Sequence, residues 1–208
     1  MRAVLARRIA RLSDLDFWRR RTTGLQAAQL RGNLRAASNT EFGREHGFGR
    51  LSEIRSDRDL LAGYRAALPA GDISRFRPYI ARMREEARAD VLWPGLVRHF
   101  AQTSGTTAGD KYIPVSDAMM KSNRRAAFDI FAHAHRFSIS LPNLTGGKSL
   151  FLGGSTEFSV SPQGIATGDL SGIVAPLIKW PLSAAYLPGK EITLLSHWPT
   201  KIDAMAKA

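Results

Sequence analysis

Apolar positions in the first hundred residues recur at helical spacing and are interrupted by turn residues after each short stretch. Leu25, Ala28, Leu30, Leu34 and Ala37 approximate one stripe, and Asn39-Thr40 followed by Gly43 and Gly47 reads as its end. Ser56 is placed to cap a helix opening at Asp57-Arg58-Asp59-Leu60-Leu61. Leu68-Pro69-Ala70-Gly71-Asp72 is a turn, and Pro78 to Met83 predicts a further helix with proline in its first turn. Met1 to Arg11 reads as a short amphipathic helix.

The pattern changes after the Trp93-Pro94-Gly95 turn. Leu96 to Gln102 is a compact strand candidate, followed at once by a loop rich in Gly and Thr. Ser116-Asp117 can cap a long helix reaching Phe137, with Met119, Met120, Ala126, Ala127, Ile130, Phe131 and Ala134 on a broad apolar face. Ser149 to Gly153 is a second short strand, and the tail from Glu191 is mostly helical. Strand, loop, helix and strand in this order predict a β-α-β unit and a parallel sheet. The expected fold class is therefore α/β: a helical region over 1–90, then part of a parallel-sheet domain over 91–208. No internal repeat or low-complexity linker interrupts it.

Composition narrows the class. The 208 residues are 44% apolar and 9% aromatic, enough for a folded core. The absence of cysteine excludes disulfides, thiolate zinc sites and cysteine nucleophiles, and fits a reducing cytoplasm. No stretch approaches the ~20 apolar residues of a membrane helix, and arginines interrupt the N-terminus before a signal-peptide core could form. A cytoplasmic protein without a membrane partner is expected.

The net charge is +12, and residues 1–100 carry 20 arginines, no lysine and 11 acids. Such a balance suits an anionic surface such as nucleic acid. The arginines are scattered among helical apolar positions, however, and only Arg19-Arg20-Arg21 forms a run. Solvated helix faces are the favoured reading, so no nucleic-acid partner is expected.

The loop Thr103-Ser104-Gly105-Thr106-Thr107-Ala108-Gly109-Asp110-Lys111 has the composition that phosphate binding requires. Small residues let backbone N–H groups converge on anionic oxygens, hydroxyls bond those oxygens, and a lysine offsets charge. Composition alone leaves open an ordinary Ser/Gly/Thr loop. The order Thr-Ser-Gly-Thr-Thr-x-Gly-x-Lys resembles the phosphate loop of the adenylate-forming superfamily, and its glycine spacing is not that of a Walker loop.

The flanking segments narrow the likeness. Thr40-Glu41-Phe42-Gly43-Arg44-Glu45-His46-Gly47-Phe48, Phe76-Arg77-Pro78-Tyr79-Ile80-Ala81-Arg82, Val91-Leu92-Trp93-Pro94-Gly95, Phe100 and Lys111-Tyr112-Ile113-Pro114-Val115 follow one another. Together they resemble the auxin-responsive acyl-acid–amido synthetase family and its bacterial relatives, from about Thr40 to Trp198.

The resemblance implies an ATP-dependent ligase using Mg2+. A carboxylic acid is joined to AMP with release of pyrophosphate, and an amine, usually of an amino acid, then displaces AMP. It implies that Thr103, Ser104, Gly105, Thr106, Thr107 and Gly109 hold ATP phosphates. Lys111 would stand near the same oxygens, with Asp110 as a competing partner. The family's helix after this loop lines the acyl-acid site, which would give Ala127, Ile130 and Phe131 an apolar wall favouring aliphatic or aromatic acids. Packing against the sheet is the alternative for these three, and both readings stay open. No catalytic acid or base is assigned.

Other motifs carry less. Gly153-Gly154-Ser155-Thr156-Glu157 resembles a second adenylation motif but stands too early in the chain, and a strand-end turn is favoured. Gly146-Gly147-Lys148-Ser149 lacks a Walker glycine at Pro142. His133 and His135, two apart on a helix, make a poor metal pair. His46 and His99 have no evident partner, and His197 is placed to cap the last helix.

The family's later adenine, ribose and magnesium motifs and its C-terminal domain do not occur within residues 1–208. The expectation is an N-terminal part of the ATP-binding domain that does not form amides by itself. The rivals are another adenylate-forming ligase, of acyl-coenzyme A or aryl-activating type, and a basic nucleic-acid-binding protein.

Overall fold

The computed structural model describes residues 2–103, 111–140, 147–150, 158–174, 186–187, 189–193, 195 and 197–207. The chain forms two compact units, one of Asp14–Arg98 and one of Met1–Ser13 with His99–Ala208. The first helix, α1 (Arg2–Ser13), thus belongs with the sheet rather than with the helices that follow it.

The helical unit comprises α2 (Leu15–Ala37), α3 (Glu41–Glu45), α4 (Phe48–Ser52), α5 (Asp57–Ala67), a 3₁₀ turn (Ile73–Phe76) and α6 (Arg77–Arg84). Local chemistry sets the boundaries. The side chains of Asp14, Thr40 and Ser56 accept N–H bonds from Phe17, Gly43 and Asp59 at the starts of α2, α3 and α5. Pro78 stands in the first turn of α6, and Gly47 takes the left-handed conformation (φ 65°) between α3 and α4. The core gathers Ala27, Leu34, Ala37, Phe42, Phe48 and Leu60, flanked by Leu30, Phe76, Tyr79, Leu92 and Trp93. Of the expected stripe, Leu34 and Ala37 are buried; Ala28 is exposed, and its neighbour Ala27 faces inward instead.

The sheet unit contains β1 (His99–Thr103), β2 (Lys111–Val115), α7 (Asp117–Arg136), β3 (Ser149–Leu150), β4 (Ser159–Val160), β5 (Ala166–Gly168), α8 (Leu170–Val174), β6 (Tyr186–Leu187), α9 (Lys190–Thr193) and α10 (Trp198–Ala206). Four strands form a mixed sheet in the order β2-β1-β5-β4, and β3 and β6 pair separately. β1 runs antiparallel to β2 and parallel to β5. Its successive residues Phe100 and Ala101 are both buried, as a strand covered on both faces requires. Pro114, which lacks an N–H, is tolerated because β2 is an edge strand.

The mixed α/β architecture with a helical first part is the expected one, whereas the strand pairing differs. The segment Ser149–Leu150 pairs in parallel with Tyr186–Leu187, and the parallel neighbour of β1 is the three-residue β5. The loop after β1 returns directly as β2, which is possible because antiparallel strands need only a short connection. The long helix starts where Ser116 accepts the Met119 N–H at 3.2 Å. Met120 is buried, yet Ala126, Ala127 and Ile130 are exposed, so only part of the expected apolar face packs. Among the described residues no helix is long and apolar enough to cross a membrane.

Candidate functional site

The segment from Thr103 to Lys111 joins the two strands of a β-hairpin. β1 and β2 pair from His99 opposite Val115 to Thr103 opposite Lys111. The two ends of the nine-residue motif are therefore a ladder pair, with Cα atoms about 4.5–5.5 Å apart. Ser104, Gly105, Thr106, Thr107, Gly109 and Asp110 lie outside the described residues, as does the side chain of Thr103. What is defined is their anchorage: five consecutive ladder pairs hold both ends of the loop. Lys111, half-buried, stands at its base.

The parallel neighbour adds position. β5 pairs with β1 from His99 opposite Ala166 to Ala101 opposite Gly168, so Asp169 and the start of α8 emerge at the same edge as the loop. The carboxyl ends of parallel strands are where α/β sheets present ligands. Buried Thr167 and the residue after β5, Asp169, were not singled out from the sequence. Nothing in a three-residue strand announces its partner.

α7 starts two residues after β2 and carries Ala127, Ile130 and Phe131, the residues expected from the resemblance to face an acyl group. Ala127 is exposed, Ile130 is 66% exposed, and the side chain of Phe131 lies outside the described residues. Neither Ala127 nor Ile130 is buried against the sheet. On the same helix Asp129 accepts two hydrogen bonds from the Arg8 guanidinium, at 2.8 Å from Nη2 and more closely from Nε. That bonding pushes the Arg8 pKa up from its ordinary value, which burial opposes. α1 is thereby tied to the helix that follows the loop.

The flanking segments Thr40–Phe48, Phe76–Arg82 and Val91–Gly95 form scaffold in the helical unit. Phe42 stacks on His46 with ring centroids 4.0 Å apart and meets Phe48, Phe76 and Tyr79 edge-on or tilted. Glu41 accepts from Arg82 at 2.6 Å, and Arg88 lies 3.7 Å from its other oxygen. Arg82 also covers the Tyr79 ring at 4.7 Å. The Tyr79 hydroxyl donates to Glu45, which raises its pKa above the ordinary phenol value; burial adds to the rise.

Val91 to Gly95 closes on itself through Asp90, which accepts from the Gly95 N–H at 2.8 Å while taking a left-handed φ of 57°. The carbonyls of Asp90 and Val91 then accept the otherwise unpaired N–H groups of Glu41 and Phe42, at 2.7 and 3.0 Å. Three segments far apart in sequence converge on the start of α3.

Among the described residues the histidines do not gather into a cluster of their own. His46 Nδ1 lies 3.0 Å from the Phe42 carbonyl, so it is the donor, and its Nε2 accepts from Arg75 at 3.2 Å. His99 and His133 are exposed, and His197 takes the N-cap position of α10 with Nδ1 2.8 Å from the Thr200 hydroxyl. Glu157, Gly146 and the side chain of His135 lie outside the described residues. Lys201 on α10 is buried, with its ammonium 5.4 Å from the Trp198 ring centroid, a placement not anticipated from the sequence.

Residues 11–206 match the GH3 family N-terminal domain. The chain belongs to this family, that of the auxin-responsive acyl-acid–amido synthetases. The family is one of adenylate-forming ligases that generally use ATP and Mg2+. No curated protein matches the chain. Among the described residues no group of three or more His, Asp or Glu side chains could hold a metal ion.

Proposed function

We propose that this protein serves ATP-dependent activation of a small carboxylic acid. A carboxylate oxygen attacks the α-phosphorus of ATP, and the bond to the β-phosphate breaks with loss of pyrophosphate. The amine of an amino acid or similar substrate then attacks the acyl carbon, loses a proton, and expels AMP to leave an amide. In this reading Thr103, Ser104, Thr106 and Thr107 donate hydroxyls to phosphate oxygens, Gly105 and Gly109 let backbone N–H groups approach, and Lys111 offsets charge. The contribution of these residues is positioning and electrostatic stabilisation, which dominate phosphate chemistry. Ala127, Ile130 and Phe131 are proposed to face the acyl group.

The supporting observation is the pairing of Thr103 with Lys111 across the hairpin, in a chain that matches the family over residues 11–206. A loop held at both ends loses less entropy on gripping a ligand than a free one. The test is thermal unfolding with and without ATP. At roughly 100 times Kd, ATP should stabilise the protein by about 2.7 kcal/mol, and Lys111→Ala should need several-fold more ATP for the same shift. An ATP shift that Lys111→Ala leaves intact, or no shift at all, would refute the assignment.

A further inference from the structure

α2 carries a second concentration of positive charge, in a different unit from the phosphate loop. Arg20, Arg21, Leu25 and Arg31 of α2, with Asp57 at the start of α5, line a cleft of about 480 Å³. Arg31 is held in place: its Nη2 donates to the carbonyls of Ile54 and Arg55 at 2.9 and 3.2 Å and to Asp57 at 3.1 Å. Its Nε and Nη1 make no hydrogen bond among the described residues. The side chains of Arg20 and Arg21 have no hydrogen-bond or ion-pair partner there either. Three guanidiniums thus face one carboxylate that Arg31 already engages, leaving an excess of two positive charges.

Along α2 the surplus charge is limited to the cleft. Along α2 on either side, Arg19 pairs with Asp16 at 3.3 Å and Arg35 with Glu53 at 3.8 Å. A polyanion such as duplex nucleic acid binds through an extended track of free cations, which these two pairs interrupt. The volume lies within the range of small-molecule pockets, and guanidinium forks match oxyanions in pairs.

We propose that this cleft is an anion site for a small phosphorylated molecule, its dianionic phosphoryl group held by Arg20, Arg21 and the free edge of Arg31. Leu25 offers apolar contact for the rest of the ligand.

The experiment titrates the isotope-labelled full chain with inorganic pyrophosphate at low salt and follows the amide of Gly24, which also lines the cleft. A saturable shift of that amide is expected. Arg20→Ala/Arg21→Ala, both at exposed helix positions, should weaken it roughly tenfold or more, as loss of charge-assisted bonds requires. Asp57→Asn should tighten it several-fold, and Lys111→Ala should leave it unchanged, which separates this cleft from the phosphate loop. No saturable Gly24 shift, or one that survives the double arginine variant, overturns the proposal. So does a shift abolished by Lys111→Ala, or tighter binding of a short duplex DNA than of pyrophosphate.

Discussion

Substituting Gly43 by alanine tests the convergence of segments at the start of α3. A Cβ there would lie 1.9 Å from the carbonyl oxygen of Ala37, 2.9 Å from its carbon and 3.0 Å from Thr40 Oγ1. That oxygen cannot move freely, because it accepts the Thr40 N–H at 3.1 Å and the Thr40 hydroxyl at 2.7 Å. Relief would need a shift of more than ~1 Å between the end of α2 and the start of α3. Overpacking of this kind costs about 1–3 kcal/mol, and loss of the Thr40 cap adds about 1 kcal/mol. Gly43→Ala should therefore destabilise by roughly 3 kcal/mol in total.

Gly32→Ala is the internal control. It lies in the middle of α2 with nothing within 4 Å of its added Cβ, and should stabilise by about 0.5–1 kcal/mol through helix propensity. Urea unfolding followed by circular dichroism reads both. With a slope of about 2 kcal/mol per molar urea, Gly43→Ala lowers the midpoint by roughly 1.5 M while Gly32→Ala raises it slightly. A loss below about 1 kcal/mol at Gly43 would mean that the α2–α3 junction yields easily, and the steric account of this motif glycine would fall.

Tyr79→Phe removes the hydroxyl bonded to Glu45 and should cost about 0.5–1.5 kcal/mol at neutral pH. The folded-state pKa of Tyr79 is raised, so its contribution is complete below the ordinary phenol value and is lost as pH rises through the folded value. The stability gap between wild type and Tyr79→Phe should accordingly close in strong alkali; a gap that widens there contradicts the sign. A double-mutant cycle on Arg8→Ala and Asp129→Ala should give a coupling of about 0.2–1 kcal/mol that fades with salt. Zero coupling at low salt would leave half-buried Ile9 and Leu12 as what holds α1. Ile130→Arg, at a position 66% exposed, should fold normally and shift any acid preference towards dicarboxylic substrates. An unchanged ranking would place Ile130 outside the acyl pocket.

The sequence by itself determined the local elements of this protein. Ser56, Ser116 and Pro78 mark helix starts because a cap or a fixed φ acts within three or four residues of chain, whereas Thr40, read as part of a helix end, proves also to cap α3. The order of Thr103 to Lys111, with its flanking segments, pointed to the family for the same reason: such a motif is written in consecutive residues. Only the tertiary structure decided what those segments meet. Lys111 to Val115 mixes a cation, an aromatic and a proline, so no period marked it as a strand until β1 lay opposite. β1 found its parallel neighbour in Ala166–Gly168, three residues too short to carry a signal, rather than in Ser149–Leu150. Likewise, Glu41, Tyr79, Arg82 and Asp90 are ordinary surface types in sequence, and folding turns them into one interlocked junction at α3. Capping and helix periodicity depend on neighbours along the chain, whereas strand partners and buried ion pairs depend on backbones that sequence distance does not relate.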